Sequence, residues 1–510
     1  MFLIILILIP FICSVLCWRT ERVACWLPRW IALFSSGIIL LFIIFLWRLH
    51  WDDASSVTNI YTNFPKWKLE YSYPWIPRFG ISLHIALDGL SALMIMLSGF
   101  IGCMAVLCSW NEIKHDQGLF YCNLLWIIGG VIGVFLSVDM FLFFFFWEMI
   151  IIPMYFLVSL WGHNDIDSNV RINTAVKFFI YAQCSGLLML ISIITLASIN
   201  YRMNGIWSFN YQDLLHIVLP RNVEYLLMLG FFLAFAVKMP IVPFHGWLPD
   251  MHCYAPTAGS VDLVGMLLKI SAYGLFRFVL PLFPYASQSF TPIAMFLGVL
   301  NIFYGAYMAC AQTDIKRLIA YSSISHMGFL LIAIYSGLEM SYQGSVILMV
   351  SYSLSASGMF ILCGQLYERL HTRDMRFMGG LWNKMSCFPA FFLCFILATL
   401  GLPGTGNFVG EVTVLCSNFR VSPIITIIVC FGIVFSSIYS LLLMQRIFYG
   451  IFYISNPRDV SFIGLKHMEF REKLIAIFLL ISIFFIGFFP KYILDISHES
   501  MKYLNIWLKK

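Results

Sequence analysis

Apolar runs, most of them about as long as a helix needs to cross ~30 Å of hydrocarbon, follow one another from Phe2 to Pro490 with short polar intervals between them. They fall at 2–17, 31–49, 83–110, 119–138, 140–160, 172–198, 222–243, 257–281, 291–311, 314–337, 343–367, 386–402 continuing through a break to 418, 423–451 and 472–490. This pattern predicts an all-α polytopic membrane protein of about fourteen transmembrane helices. The longest polar interval, Arg48 to Ile81, holds its polarity in DDASS and KWKLEYSYP. Its Trp51, Trp67, Tyr71, Tyr73 and Trp75 suit the headgroup level. The first run has no basic segment before it and no small-x-small cleavage site after it, so it reads as a first helix rather than a signal peptide. No soluble domain is expected, and whatever the chain does is expected inside the membrane.

Two runs are interrupted alike. The seventh reads FAVKMPIVPFHGWLP, with Pro240 and Pro243 inside it, and the twelfth reads ATLGLPGTGNFVGE, with Pro403 among glycines. Proline removes a backbone donor and clashes with the carbonyl four residues back, and lipid offers no substitute partner. Such breaks persist where they face protein or a water-filled cavity. They lie five runs apart, as expected for two inverted five-helix repeats with broken helices 7 and 12. The chain then divides into an N-terminal three-helix segment (1–110), a first repeat (111–285), a second repeat (286–451) and a C-terminal helix with its tail (452–510). Ordinary proline kinking is the alternative reading of both breaks.

Composition agrees with the pattern. Of the 510 residues 61% are hydrophobic and 11% charged, where a soluble domain carries roughly 25% charged. A net charge of +6, scattered along the chain, does not suggest nucleic acid. The fourteen cysteines contain no CxxC pair, which argues against an iron–sulfur site and a disulfide framework. With the N-terminus outside, seventeen Lys and Arg fall in cytoplasmic loops, among them Arg19, Arg22, Arg29, Lys316, Arg317, Arg458 and Lys466, against twelve opposite. That bias puts both termini on the periplasmic side.

Four charges fall where hydrocarbon makes them costly, by ~2.5–3.5 kcal/mol each even on lenient insertion scales. Glu148 lies in FLFFFFWEMIIIPMYFL, Lys238 in FFLAFAVKMP, Lys269 in VDLVGMLLKISAYG, and Glu411 directly after the twelfth break. Carboxyl and amine groups in a dry bundle permit proton movement, because their proton affinity depends on what stands beside them. His326, in a helix that Asp314 can cap and Ser322, Ser323 and Ser325 surround, suits a relay. Structural ion pairing for the four charges and a packed neutral imidazole for His326 are the alternatives. His245 and His252 flank WLPD, where they would line an entrance or cap helices, and the phenylalanine run 143–146 reads as lipid or core packing. GTGN at 404–407 lacks the GK[ST] ending of a phosphate loop.

LAFAVKMPIVPFHGWLPDMHCYAPTAGSVDLVGMLLKISAYGLFRF and AQTDIKRLIAYSSISHMGF resemble the most characteristic blocks of the antiporter-like subunits of respiratory complex I, the proton-pumping NADH:quinone oxidoreductase. ILCGQLYERLHTRDMRFMGGLW and ATLGLPGTGNFVGE are similar to its M-type chains. The resemblance spans essentially the whole length. It implies that Glu148 and Lys238 form the pair that modulates pumping, that Lys269 is the central connecting residue, that His326 relays, and that Glu411 serves the outward-connecting end. It implies no cofactor in this chain, with flavin, iron–sulfur clusters and quinone in other subunits. The implied partners are adjacent antiporter-like chains, the lateral helix of a neighbouring subunit and lipid, in the bacterial inner membrane. The chain departs from the family at VSYSLSASG, where Tyr352 and Ser353 stand in place of the usual His-Gly pair. A tyrosine can donate and accept a hydrogen bond but stores a proton poorly, so the relay step there would have to be water-assisted. Two other readings compete: a subunit of a multisubunit sodium/proton antiporter, and a haem-carrying membrane subunit, which would need facing histidines from two spans.

Overall fold

The computed structural model describes residues 2–51, 67–163, 168–450 and 467–508. The first part of the 48–81 interval, Arg458 and Lys466, all used in the topology reading, lie wholly or partly outside the described residues, as does the side chain of Trp51.

The apolar runs form helices. They are α1 (Phe2–Thr20), α2 (Leu27–Trp51), α3 (Gly89–Cys108), α4 (Gln117–Leu136), α5 (Met140–Met149), α6 (Ile151–Trp161) and α7 (Ser168–Asn204). After the short α8 (Tyr211–Leu215) come α9 (Arg221–Lys238), α10 (Leu248–Tyr254), α11 (Thr257–Asp262), α12 (Leu268–Gly274) and α13 (Leu280–Leu282). The chain continues with α14 (Pro284–Ala311), α15 (Ile315–Tyr335), α16 (Glu339–Leu370), α17 (Phe388–Thr399), α18 (Gly406–Phe419) and α19 (Pro423–Phe448). It finishes with α20 (Phe470–Phe488) and α21 (Lys491–Leu508). Two π-helical turns, Leu263–Leu267 and Leu275–Val279, join α11, α12 and α13 into one span, Thr257–Leu282.

Eleven spans among the described residues are long and apolar enough to cross a membrane, and α20 with α21, bent by 67°, makes a twelfth if the pair is counted as one. The other two predicted runs are the broken ones, α9 and the α17–α18 pair. Interloop contacts sort the connections alternately onto two faces. On one, Arg29 reaches the carbonyl of Ile113, Trp161 that of His115, Arg446 that of Gln312, and Asn111 bonds Glu469. On the other, Ser82 bonds Asp139, His84 bonds Asn210, and Trp507 bonds the carbonyl of Pro281.

Two predicted boundaries need correction. The third run does not enter the membrane as a helix at 83. Leu69–Ile76 and Ile81–Leu87 form an antiparallel hairpin, β1 and β2, turned at Gly80 with φ 69. The alternation in ISLHIAL has the period of a strand, and Asp88 then starts α3 with a capping box to Ser91. The C-terminal tail is likewise a helix. In YILDISHESMKYLNIWL the apolar residues Ile493, Ile496, Met501 and Leu504 recur on one buried face, so α21 lies against α3 and α16.

Both breaks are made good by an asparagine. After Lys238 the chain leaves helical geometry. Asn301 of α14 accepts from Val242 N at 2.7 Å and donates to the carbonyls of Ile324 at 3.1 Å and Pro240 at 3.5 Å. Trp247 Nε1 takes the freed carbonyl of Val237 at 2.9 Å. At the twelfth break Asn407 donates to the carbonyl of Ala398 at 2.8 Å and to Ser355 Oγ at 2.9 Å. Gly401 (φ +72) and Gly404 (φ +99) supply the backbone turn between α17 and α18.

Asn301→Leu should orphan the Val242 N–H and the Pro240 carbonyl, each worth about 1–3 kcal/mol. Thermal unfolding of the purified protein should show this as a lowered midpoint, with Asn301→Asp, which keeps only the acceptor for Val242, falling between Leu and the natural residue.

Candidate functional site

Each of the four predicted charges stands at an irregularity in its helix. Pro153 cannot donate to the carbonyl of Met149, and the fifth span breaks there, one residue beyond Glu148. Lys238 is the last residue of α9, Lys269 lies between the two π-helical turns, and Glu411 is in the second turn of α18. Broken helices and π-turns leave backbone groups free to face a charge or water, which unbroken helix does not.

Glu148 is half-buried on the face of α5 toward α7, where Gly186 is so close that any side chain there would collide with Glu148 Oε1. Glu148 Oε1 has no hydrogen-bond partner. Lys238, 3% exposed, sits with Nζ 3.5 Å from the centre of the Trp147 ring and 3.4 Å from the carbonyl oxygen of Trp147. Lys238 and Glu148 form no direct ion pair. The ammonium rests instead on the aromatic residue that precedes the carboxylate, a cation–π contact.

Lys269 is fully buried and its Nζ is unpartnered; it lies 4.8 Å from the centre of the Tyr352 ring. On the other side of Tyr352, the His326 ring is 4.5 Å away, centre to centre. His326 Nδ1 is 3.3 Å from Glu411 Oε1, off line for a hydrogen bond, and its Nε2 is 3.3 Å from the Tyr439 hydroxyl. Glu411 is held against the break: a Cβ on Gly401 would lie 2.8 Å from its Oε2. A cavity of about 10 Å³, space for one water, is bordered by Tyr352, Tyr439, Ser322 and Ser440. Tyr352 and Ser322 thus face the same small space. The structure brings Lys269, Tyr352, His326 and Glu411 into one file, with Lys238 and Glu148 at the α5–α9 contact.

The other predicted residues lie outside this file. His252 stacks on Phe360 at 4.3 Å with both ring nitrogens unpartnered, and His245 lies 4.9 Å from Tyr304. Phe143 packs among Trp147, Phe235 and Phe278, while Phe145 is exposed.

Several polar residues of the interior were not picked out in the sequence. Asn301, Asn407 and Tyr439 are among them, as is Asp262, fully buried with both oxygens unpartnered. So is a buried ion pair, Arg277 with Asp88, which closes the far end of the span that carries Lys269. Arg277 lies eight residues beyond Lys269, ~12 Å along the span, 4.7 Å from the Trp67 ring, and donates to Tyr273 Oη at 3.3 Å. A polar residue inside an apolar run was the available signal for each.

The family model for NADH:quinone oxidoreductase/Mrp antiporter transmembrane regions matches residues 137–438. NADH-quinone oxidoreductase subunit M of Escherichia coli (strain K12) is 57% identical over 502 residues, covering 98% of this chain and 97% of that protein. The subunit M of Pseudomonas aeruginosa is 53% identical over 504 residues, covering 99% and 97%. Among solved structures, a chain of respiratory complex I from Thermus thermophilus with bound NADH superposes with a TM-score of 0.85 at 26% identity, covering all of both chains. A chain of the Mrp complex from a Dietzia species superposes with a TM-score of 0.80 at 20% identity, covering 98% of this chain and 52% of that one.

Arg277→Met should leave Asp88 buried without its partner and cost about 3–5 kcal/mol. Adding Asp88→Asn should recover part of that loss, and a double-mutant cycle on thermal unfolding checks it.

Proposed function

The chain belongs to the NADH:quinone oxidoreductase/Mrp antiporter transmembrane family, in the branch of NADH-quinone oxidoreductase subunit M, and we propose that its buried polar file is the route along which it moves protons. It is a proton-translocating membrane subunit of NADH-quinone oxidoreductase. The sodium/proton antiporter reading is weaker, since the likeness to the Mrp chain is one of fold alone.

The observation that carries the route is the unbroken succession Lys269, Tyr352, His326 and Glu411, at 4.8, 4.5 and 3.3 Å, from the middle span to the twelfth-helix break. Lys269 holds a proton at Nζ. The Tyr352 ring faces that ammonium, and its hydroxyl, with Ser322 and a water in the adjoining cavity, offers hydrogen bonds through which a proton passes to His326. Imidazole accepts at one nitrogen and releases from the other, toward Glu411 or Tyr439. Tyr352 then conducts without storing, and storage falls to Lys269 and His326. Glu148 and Lys238 act as the control pair: a charge on Glu148 acts on Lys238 across Trp147, so movement of either changes when the lysine holds its proton.

The remaining assignments follow from the same reading. The face rich in Lys and Arg, which carries Glu112, Asp250 and Lys316, is cytoplasmic, and both termini are periplasmic. Residues 111–285 and 286–451 are the two inverted repeats. The chain holds no redox group of its own, and flavin, clusters and quinone belong to other subunits. Its partners are adjacent antiporter-like chains, a lateral helix and lipid.

Lys238→Ala and Glu148→Ala should each sharply lower NADH-driven proton pumping and quinone turnover in membrane vesicles, with NADH oxidation by an artificial acceptor unchanged. Normal pumping in both variants would make the pair structural. Tyr352→His should keep turnover and Tyr352→Phe reduce it, because only the latter removes a hydrogen-bonding group; equal turnover in the two would take the hydroxyl off the route.

A further inference from the structure

The file described above starts at Lys269, and nothing in it says how a proton reaches that residue. The span Thr257–Leu282 is sandwiched between α3 and α16, and α16 runs against it in the opposite direction. Gly364 abuts Thr257, the Ser357 Oγ lies 3.0 Å from where a Cβ on Gly265 would stand, and the Tyr352 ring meets Lys269. Three polar side chains along this seam are fully buried with unpartnered atoms: Asp262 at both oxygens, Ser357 at Oγ and Lys269 at Nζ. Buried polar groups are nearly always hydrogen-bonded, so three together on one seam point to use rather than packing.

At the head of the seam stands Glu112. Its Oε1 accepts from Thr257 N and Thr257 Oγ1, both at 3.0 Å, and lies 3.5 Å from His163 Nε2. Burial holds the Glu112 carboxyl above the ordinary carboxylate range, against the opposing pull of the Thr257 hydrogen bonds and the Lys316 ammonium. Asp262 is five residues on from Thr257 and within electrostatic reach of Cys108 at the end of α3; Glu112, Glu368 of α16 and Arg471 of α20 act on the same thiol.

We propose that Asp262 is a proton-loading carboxyl that feeds Lys269 from the Glu112 face, with the Ser357 hydroxyl between them. The inference rests on the route proposed for Lys269. Asp262 and Lys269 are seven residues apart, ~10 Å along the helix, too far for direct transfer, which needs ~2.6–3.2 Å or one intervening water. Ser357 stands at Gly265, three residues from the acid and four from the base, where a hydroxyl with water on either side spans the gap. In one transfer the protonated carboxyl gives its proton to the chain of hydroxyl and water, and the far end of that chain delivers one to the amine. Carboxylate and ammonium result, and the carboxylate is reloaded by a proton from water at the Glu112 mouth. The π-helical turn Leu263–Leu267 lies between the two groups, the kind of irregularity that lets local backbone carbonyls turn toward such a path.

The test uses vesicles carrying the whole complex, with Asp262→Asn, Asp262→Glu, Ser357→Ala and Lys269→Ala measured together and assembly checked by NADH oxidation with an artificial acceptor. Asp262→Asn should lower NADH-driven pumping and quinone turnover about tenfold or more, Asp262→Glu should restore most of it, and a protonated-carboxyl infrared band should vanish in the Asn variant. Ser357→Ala, the safer change for folding, should slow pumping and enlarge the solvent deuterium isotope effect. Wild-type pumping in Asp262→Asn at every pH overturns the proposal, as does an unchanged isotope effect in Ser357→Ala if the Asn variant does not assemble. Impaired Lys269→Ala beside normal Asp262→Asn removes only the input branch, whereas normal pumping in Lys269→Ala removes the route on which it rests.

Discussion

Hydrocarbon provides no hydrogen-bond partner for a peptide group, and the rest of this structure follows from that constraint. An unbroken helix satisfies it without help but offers a charge nothing to interact with. The chain therefore places its four charges where helices are interrupted, and then has to satisfy the groups those interruptions release. Asn301 and Asn407 do this from opposite directions, the first reaching into the seventh break from α14, the second folding back from α18 onto α17. Because Asn301 also holds the carbonyl of Ile324, two residues before His326, the seventh break and the relay helix are fixed relative to each other. The backbone repair and the site geometry are one set of hydrogen bonds.

The same constraint explains why the file is lined by aromatic rings. Lys238 on Trp147 and Lys269 on Tyr352 both trade hydration for a ring face, an attraction that adds no second full charge in the membrane. A carboxylate partner would pin each ammonium, while a ring leaves it able to give up its proton. At the far end of Lys269's own span the opposite choice is made. Arg277 is locked onto Asp88 and crowded by Trp67 and Tyr273, which suits a position that holds its charge permanently.

The helices and both breaks could be read from the sequence, because twenty-residue apolar runs and prolines within them have few other meanings. The four charges and His326 could be read for a related reason, since their cost in lipid makes them conspicuous. What stood on either side of them could not. Tyr352 was visible only as a departure from the family's histidine, whereas the structure puts its ring between Lys269 and His326. Nor could the placement of Lys238 on the Trp147 ring instead of in a direct ion pair with Glu148 be read, since it is a matter of side-chain position and not of spacing. Strand β2 reads as the start of α3 because ISLHIAL is apolar enough to continue the run that follows, and only its alternation marks it as a strand. Helix α21 was missed because its apolar residues occupy one face only and do not form a run.

Helix α16 packs along the Thr257–Leu282 span. It lies in the 286–451 half, yet its small and polar residues Gly364, Ser357 and Tyr352 fit against Thr257, Gly265 and Lys269 of the preceding half. Neither half is therefore a self-sufficient body. Parted from the other, the first would present a bare lysine to lipid, and the second a furrow of serines with nothing to fill it. The seam between the two stretches holds the buried lysine on one side and the small and hydroxyl-bearing residues that receive it on the other.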